Sequence, residues 1–216
     1  MKHAPAAALL FIAIATAGEP PEDRPPDRTG ALSELRSKLI RAAHFSTPDL
    51  CSHFGAEFLS TQREIAAQLH ELGPDVEGVM ELAVLSSSLP DAKRLYEGGA
   101  PLEASTNTLL HSAAVYAGPD MMEFLVSVGI DVDARQPADG PTPLQAAVEA
   151  NRIENVHWLV EHGADVNDAA WGGQRPIHTA FVCRDQATIQ YLLDNGAEVD
   201  DKTRMLAQKS GVRLPE

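Results

Sequence analysis

Four segments of this chain repeat one pattern, and this repetition constrains the fold more than any other feature. The segments begin at Gly78, Thr108, Thr142 and Arg175, so successive starts are 30, 34 and 33 residues apart. In each segment the sixth residue is alanine, and a glycine lies 21 residues after the start. A short unit repeated at this period predicts stacking, because each unit needs a neighbour to cover its apolar face.

The segment from Thr142 shows how one unit is expected to fold. Thr142 and Pro143 are typical of a helix start, where threonine caps the first turn and proline presets its backbone. Asn151 suits the turn after this helix, because asparagine tolerates left-handed geometry. Gly163 is expected to end a second helix in the same geometry, before an extended finger. The apolar faces of the two helices comprise Leu144, Ala147, Val148, Val156, Leu159 and Val160.

The repeat resembles the ankyrin repeat, whose hallmark is Thr-Pro-Leu-His followed later by Gly-Ala-Asp-Val-Asn. The resemblance is closest over residues 142–167 and good over residues 175–200, whereas the two preceding units keep fewer of the family's residues. It implies an all-α solenoid of stacked helix pairs with short β-hairpin fingers. Residues 78–211 are interpreted as four repeats and a truncated C-terminal unit, followed by a tail at 212–216.

Residues 31–77 have helical apolar periodicity but match the repeat only loosely. Thr61 followed by Glu64 makes a capping box, which predicts that a short helix begins at Thr61. Gly73 lies where a repeat has its glycine, but Glu57 stands where the alanine is expected. This region is therefore interpreted either as an N-terminal helical cap or as a degenerate repeat.

The first 17 residues have the pattern of a signal peptide. Lys2 gives a positive start, an apolar run follows, and residues 15–17 are Ala-Thr-Ala, the small-x-small pattern at which signal peptidases cut. The run is roughly half of the ~20 residues that a membrane span needs. We expect cleavage after Ala17, no membrane insertion afterwards, and a periplasmic or secreted protein from a bacterium. The alternatives are an uncleaved membrane anchor and a chance apolar N-terminus. Residues 18–30, with four prolines among charges, are expected to be a disordered linker.

The chain has two cysteines, Cys51 and Cys183. In an oxidising compartment such a pair suggests a disulfide. If the units stack in line, however, three or more of them separate the two residues, at about 10 Å per helix layer. A disulfide requires Cα atoms within about 7 Å of each other. Free thiols or an intermolecular bond are therefore expected, and an internal bridge is not.

The charge of the chain restricts its classes of partner. The formal net charge is −14 at pH 7. An acidic surface repels phosphate backbones and anionic lipid headgroups, so nucleic acid and membrane surfaces are disfavoured. The expected partner is another protein with a basic patch, bound by a monomer of this chain.

Enzymatic chemistry has no visible motif in this sequence. It contains no HExxH, no glycine-rich phosphate loop and no serine nucleophile elbow. His111 and His178 occupy the fourth position of their units, where the resemblance implies structural hydrogen bonds. His157 and His162 lie five residues apart on one helix, a spacing that does not place them on one face. We therefore predict no catalytic residue, no metal and no cofactor, and a protein that is not an enzyme.

The resemblance implies that fingers and first-helix ends line a concave groove in which a partner binds. The candidate partner-binding residues are Tyr116, Asp139, Glu149, His162, Trp171, Gln174 and Asn195, with Cys183 in the same series. Trp171 is the expected anchor, since a buried role is hard to arrange in a finger flanked by glycines. Its packing against a neighbouring finger is the alternative. Asp139, Glu149 and Asp168 are expected to form an acidic rim or, alternatively, a solvated face.

Two functions fit these features. The first is an exported, non-enzymatic adaptor, inhibitor or immunity-type protein that binds its partner in the concave groove. The second is a secreted effector that acts on a host or competitor protein, also by binding. Retention in the periplasm would support the first function, and recovery from the medium would support the second.

Overall fold

The computed structural model describes most of the chain from residue 56 onwards. The described residues are 56–75, 78–102, 106–135, 140–212 and 214, together with Gly30, Glu34, Ser37, Lys38 and Arg41, which have helical backbones. Of residues 56, 57, 106, 107 and 171, only the backbone is described. The predicted signal peptide and nearly all of the predicted linker lie outside this part. The helices with defined bounds are α1 (Ala56–Leu69), α2 (Val79–Leu85), α3 (Leu89–Glu97), α4 (Thr106–Tyr116), α5 (Pro119–Ser127), α6 (Pro143–Glu149), α7 (Ile153–Glu161), α8 (Pro176–Cys183), α9 (Gln186–Asp194) and α10 (Asp201–Ser210), with a 3-10 turn at Trp171–Gly173.

The helices from α2 onwards pair into four successive hairpins. Each has a first helix (α2, α4, α6 or α8) and a second helix (α3, α5, α7 or α9), and α10 follows as the first helix of a further unit. Neighbouring first helices pack against each other along the whole row from α2 to α10. Neighbouring second helices approach less closely, so the first helices lie on the concave side of the stack. This arrangement confirms the all-α solenoid of stacked helix pairs.

The alanine of each repeat allows the first helices to approach one another. Ala83, Ala113, Ala147 and Ala180 are all 0% exposed. A larger side chain at these positions would force the helices apart, because the core around them is continuous and closely packed. The residue that made the repeat visible in the sequence is therefore the residue that sets the spacing of the stack.

The glycine of each repeat follows the end of the second helix in left-handed geometry. The φ angles of Gly99, Gly129, Gly163 and Gly196 are +91°, +100°, +92° and +91°. A side chain is strained in this conformation, so glycine recurs where the chain must leave the helix and enter the finger. Asn151, with φ of +53°, has the left-handed backbone that its place between two helices predicts.

Polar side chains at the start of α7 connect it to the end of α4 in the preceding unit. Asn155 is 1% exposed, and its Nδ2 donates to the carbonyls of Ala114 at 2.9 Å and Ala117 at 3.2 Å. Arg152 also donates to the Ala117 carbonyl, at 2.7 Å, and burial lowers the pKa of its guanidinium. The last carbonyls of a helix have no partner within it, so here the next unit supplies the donors.

Helix α1 is one continuous helix, and the predicted helix start at Thr61 is wrong. Thr61 lies in its middle and is 6% exposed. Phe58, Ile65 and Leu69 are fully buried at helical spacing, so one apolar face runs through the expected boundary. Packing of this face outweighs the local capping signal, because a single capping box contributes only about 1 kcal/mol.

The fingers are built from turns. In the part of the chain that the structure describes, the one strand-type pairing is an isolated antiparallel bridge between Ala170 and Gln174. In the finger after α7, the Asp168 N–H donates to the Asp165 carbonyl at 3.2 Å. None of the described helices is both long and apolar enough to span a lipid bilayer.

Candidate protein-binding surface

The stack has two long edges on which protein side chains are presented at regular intervals. The first-helix edge is formed by the last residues of the four first helices, which are Leu85, Tyr116, Glu149 and Cys183. The finger edge is formed by the segments that follow the second helices, which are residues 130–135, 164–175 and 197–200. The finger edge is fixed by hydrogen bonds from the units themselves, whereas part of the first-helix edge is covered by α1.

The fourth residue of a unit holds the finger that follows that unit. The His111 Nε2 lies 2.6 Å from the carbonyl oxygen of Pro141. Gln145 Nε2 donates to the carbonyls of Asp168 at 3.2 Å and Gln174 at 2.5 Å. Because His111 and Gln145 are both at most 3% exposed, these bonds are shielded from water and fix the finger backbone.

His178 makes the corresponding connection in the last complete unit. Its Nδ1 accepts the backbone N–H of Arg175 at 3.1 Å, and its Nε2 lies 3.2 Å from both Asp200 Oδ1 and Thr203 Oγ1. Burial lowers the pKa of His178, although the Asp200 carboxylate opposes that effect. The pKa of Asp200 lies well below its ordinary value, chiefly because the carboxylate accepts the Thr203 backbone N–H. His111 and His178 therefore make the structural hydrogen bonds that were predicted.

Side chains on the finger edge bind the backbone of the next finger. The Asp133 carboxylate accepts the N–H of Asp165 at 3.2 Å. Asn167, at the same position one unit later, accepts the N–H of Glu198 at 2.8 Å and donates to the Gly196 carbonyl at 3.0 Å. These bonds join three successive fingers into one continuous edge.

An acidic residue is exposed at the same position of those three fingers. Asp131, Asp165 and Glu198 are all exposed, and each lies 23 residues after the start of its unit. Burial raises the pKa of the neighbouring Asp133, and the negative charges of Asp131 and Asp165 add to that rise. The finger edge therefore presents a regular row of carboxylates, the last of which, Glu198, also pairs with Arg175 at 3.0 Å. Sequence reasoning missed this row, although its constant offset was visible.

The finger between α7 and α8 ends in a tight turn. The bridge between Ala170 and Gln174 closes it, and Gly172 and Gly173 have φ of +66° and +71°. Gln174 is exposed on this turn, whereas the side chain of Trp171, the predicted anchor, lies outside the described residues. Glycine at both positions allows the chain to reverse within three residues.

An ion pair ties that same finger to the preceding one. The guanidinium of Arg135 pairs with the carboxylate of Asp168 and also donates to the Ala169 carbonyl, at 3.3 Å. The predicted acidic rim is therefore partly neutralised at Asp168. Asp139, which was also assigned to the rim, lies outside the described residues.

The first half of the first-helix edge is covered by α1. Gln62 Nε2 donates to the carbonyls of Leu85 at 2.8 Å and Tyr116 at 2.9 Å. The rings of Phe58 and Tyr116 are 5.7 Å apart, and burial raises the pKa of the Tyr116 hydroxyl. The structure thus places the candidate Tyr116 under α1, where its carbonyl contacts Gln62 and its ring contacts Phe58.

The second half of this edge contains Glu149, which is exposed, and Cys183, which is disulfide-bonded. The expectation that the chain has no internal bridge is therefore wrong for Cys183. The other cysteine of the chain, Cys51, lies outside the described residues. The expectation assumed that the N-terminal region extends the stack in line. Instead, the bonds of Gln62 show that α1 runs along the edge, towards the later units.

Two other candidates lie where second helices pass into fingers. His162 and Asn195 directly follow α7 and α9, and both are exposed. The His162 ring stacks on Trp158 at 3.8 Å between ring centroids, and Asn195 Nδ2 donates to the Tyr191 carbonyl at 2.8 Å. The predicted residues are thus divided between the two edges. In the described part of the chain, no three His, Cys, Asp or Glu side chains are grouped to hold a metal ion.

Comparison with known proteins places this architecture in context. Residues 110–203 match the family model of ankyrin repeats, in three copies. The chain is 32% identical over 116 residues to Protein PhlB of Serratia liquefaciens, covering 52% of this chain and 51% of that protein. It is 36% identical over 70 residues to NF-kappa-B inhibitor alpha of Gallus gallus, covering 32% of this chain and 22% of that protein.

A third similar protein is named as an enzyme. The chain is 30% identical over 116 residues to the putative palmitoyltransferase ZDHHC13 of Danio rerio, covering 52% of this chain but 18% of that protein. The chain spans about half or less of the length of these relatives. The similarity therefore covers only part of each of these proteins and does not extend to the remainder.

Proposed function

The chain belongs to the ankyrin-repeat family, through residues 110–203, and from this premise we propose that it is an exported adaptor or inhibitor. Ankyrin repeats are a protein–protein interaction module. The proposed protein is of the adaptor, inhibitor or immunity type, is not an enzyme, and holds a partner protein on its finger edge.

The row of exposed carboxylates carries this proposal. Asp131, Asp165 and Glu198 repeat once per unit on the finger edge. Gln145 holds this edge through the carbonyls of its finger, and His178 holds it through the Asp200 carboxylate. Units stack at about 10 Å per layer, so the row suits a partner with lysine or arginine side chains at a similar spacing. Such complementarity accelerates association and selects the partner.

The names of similar proteins support the proposed inhibitor function. One of them is named an inhibitor, NF-kappa-B inhibitor alpha. A repeat surface that covers the functional site of a partner protein can inhibit that protein by binding alone, without catalysing a reaction. His111 and His178 are both buried and hydrogen-bonded between neighbouring elements, which supports a structural role for each ring in a binding surface.

Export is supported by two independent features. The N-terminal sequence has the signal-peptide pattern with cleavage after Ala17. Cys183 is disulfide-bonded, and such bonds persist in the periplasm and outside the cell but are rare in the reducing cytosol. A secreted effector that acts by binding is the second candidate, and cell fractionation separates the two: periplasmic retention supports the adaptor or inhibitor.

The test is capture of a partner by variants that lose equal charge on different faces. The triple variant D131N/D165N/E198Q removes three charges from the finger edge. The matched control, E97Q/E123Q/E154Q, removes three charges from exposed positions on the second helices. The mature, oxidised protein is immobilised, and the captured partner is quantified at low and at moderate salt.

The finger variant should lose at least tenfold in apparent affinity, while the control binds normally. Binding of the unaltered protein should also weaken with added salt, because exposed charges are screened. A control variant that loses as much as the finger variant would overturn the assignment of the finger edge. Trp171→Ala tests the predicted anchor separately, and unchanged capture by that variant would exclude it.

A further inference from the structure

Helix α10 and the finger edge carry opposite net charge. The finger edge, residues 130–135, 164–175 and 197–200, contains six carboxylates and two guanidiniums. Helix α10 contains two lysines and one arginine but only one aspartate. In a chain whose formal net charge is −14, a helix of positive net charge therefore stands out from its surroundings.

One side of α10 combines positive charge with apolar surface. Lys202, Met205, Leu206 and Lys209 have the spacing i, i+3, i+4 and i+7, which places them along one side of the helix. Met205 is 46% exposed and Lys209 is exposed, whereas Lys202 and Leu206 are half-buried. These four residues are called the α10 face.

The α10 face points away from the rest of the stack. The other side of the helix packs on α8, and its residues Thr203 and Ala207 are at most 4% exposed. Arg204 pairs with Asp201 of its own helix at 3.1 Å. Among the residues that the structure describes, the two lysines of the α10 face form no ion pair, so their charges are available to another molecule.

The charge of the α10 face selects what can cover it. Two α10 faces packed together would bring two lysines from each copy into one contact, and such like charges repel. The finger edge has the opposite charge, and Asp131 and Asp165 are both exposed on it. The finger edge of a second copy is therefore the complementary surface that this chain itself supplies.

The spacing of the charges also matches. Lys202 and Lys209 are seven residues apart, which is about 10 Å along a helix. Asp131 and Asp165 lie one unit apart, which is about 10 Å in a stack of helices. The bond from the Asp165 N–H to the Asp133 carboxylate, at 3.2 Å, holds the two fingers together. Two lysines of one copy can therefore meet two carboxylates of another at the same time.

We propose that the α10 face binds the finger edge of a second copy, so that the chain associates head to tail. Each copy carries both halves of this contact, so the assembly either closes into a ring or continues to grow. The monomer expected from the sequence is the state at low concentration, because exposed charge pairs contribute little individually. This association needs no other protein and goes beyond the proposed function.

Sedimentation equilibrium of the full mature, oxidised chain tests the proposal without a partner. The average mass should rise above that of a monomer as the protein concentration increases. Added salt should reverse the rise, because it screens exposed charges. A mass that stays monomeric at every concentration, or a rise that salt does not reverse, would overturn the proposal. Nonreducing electrophoresis ensures that no disulfide-linked copies are counted.

Two complementary variants identify the surfaces in contact. K202E/K209E reverses the charge of the α10 face and keeps the finger edge, whereas D131N/D165N neutralises the finger edge and keeps the α10 face. Each variant alone should associate at least tenfold more weakly than the unaltered protein. An equimolar mixture regains one intact contact and should form pairs that grow no further. A mixture that remains monomeric would contradict the assignment of the two surfaces.

Controls separate this contact from a general effect of charge. E97Q/E123Q removes two charges from exposed positions on second helices and should associate like the unaltered protein. K209E, at an exposed position, should weaken association in the same direction as the double variant, and it decides if the double variant fails to fold. K202E/K209E should still capture the partner of the proposed function, so failure of that function and failure of self-association are distinguishable.

Discussion

In the units from Thr142 and Arg175, different side chains at the fourth position make the same two connections. In both, the fourth residue accepts the backbone N–H at the helix start and donates forward to the next unit. Gln145 accepts the Thr142 N–H at 3.0 Å, and His178 accepts the Arg175 N–H at 3.1 Å. The geometry is shared, but an amide does not titrate near neutral pH and an imidazole does.

This difference shows that the fourth position requires a side chain that is long enough to bond both to its own helix start and to the finger that follows. A glutamine amide supplies an oxygen towards its own helix and an NH2 group towards the following finger. A neutral imidazole offers one nitrogen of each kind at a similar distance. In the unit from Arg175 the forward partner is the Asp200 carboxylate, which also caps α10, so helix start, finger and last helix depend on one ring.

The largest effect is expected from His178→Ala. The ring is 0% exposed, so its removal leaves a cavity as well as an unpaired Arg175 N–H and a weakened Asp200 contact. The loss of unfolding free energy should be about 4 kcal/mol, measured by urea denaturation. Val182→Ala, at a 59% exposed position on the same helix, is the control and should cost no more than about 0.5 kcal/mol.

Gln145→Ala should cost somewhat less, about 3 kcal/mol. It leaves the Thr142 N–H and the Asp168 carbonyl without their partner but removes no ring. Hydrogen exchange should also rise selectively in residues 168–174, the finger that Gln145 holds. A loss equal to that of His178→Ala, with no change in that finger, would show that the two positions do not perform the same task.

The third prediction concerns pH and exchanges the two residues. The pKa of folded His178 lies below its ordinary value of 6.5, so the unfolded chain takes up a proton first. Stability that is present above pH 6.5 should therefore decline as the pH falls below 6.5. Asp200, whose pKa is lowered from 3.8, adds a second loss below pH 3.8.

His178→Gln should flatten the decline between pH 7 and pH 5, and Gln145→His should make it steeper. Urea denaturation at several pH values measures both slopes. Val182→Ala, which removes no titratable group from the same helix, serves as the control and should leave the slope as it is. Equal slopes in the unaltered protein and in His178→Gln would contradict the assignment to this ring.

The smallest effect is expected from Arg135→Ala, which removes the ion pair between two fingers. The side chains of Arg135 and Asp168 are 35% and 19% exposed, so the pair should contribute at most about 1 kcal/mol. Its contribution should shrink in high salt. Thermal denaturation at two salt concentrations measures it, and a larger, salt-independent loss would point to packing of the arginine stem instead.

Much of the fold was predictable because its signals are local and repeated. Ala147 and Gly163 recur at fixed offsets since each unit meets an identical steric demand, and the structure confirms both roles. The start of α1 was mispredicted because Thr61 and Glu64 form a convincing local pattern inside a longer buried face. Local patterns do not report what a distant helix covers.

The candidate surface was less predictable for the same reason. Tyr116 lies at a position that is variable in the repeat, but its exposure depends on α1, more than 45 residues earlier in the sequence. The Cys183 bond was excluded on the assumption of a straight stack, which Gln62 contradicts. The carboxylate row from Asp131 to Glu198 was accessible from the sequence, because it depends only on the offset within each unit.

The forward bonds also determine what lengths of chain this architecture tolerates as it evolves. His111 reaches Pro141, Gln145 reaches Gln174, and Asn167 reaches Glu198, which are separations of 30, 29 and 31 residues. Loss or duplication of a complete unit brings equivalent donors and acceptors together again at the new junction. Loss of a fraction of a unit would leave the side chains of the preceding unit without the hydrogen-bond partners that the following finger normally supplies. Gene rearrangements that preserve this protein should therefore occur in whole-unit steps.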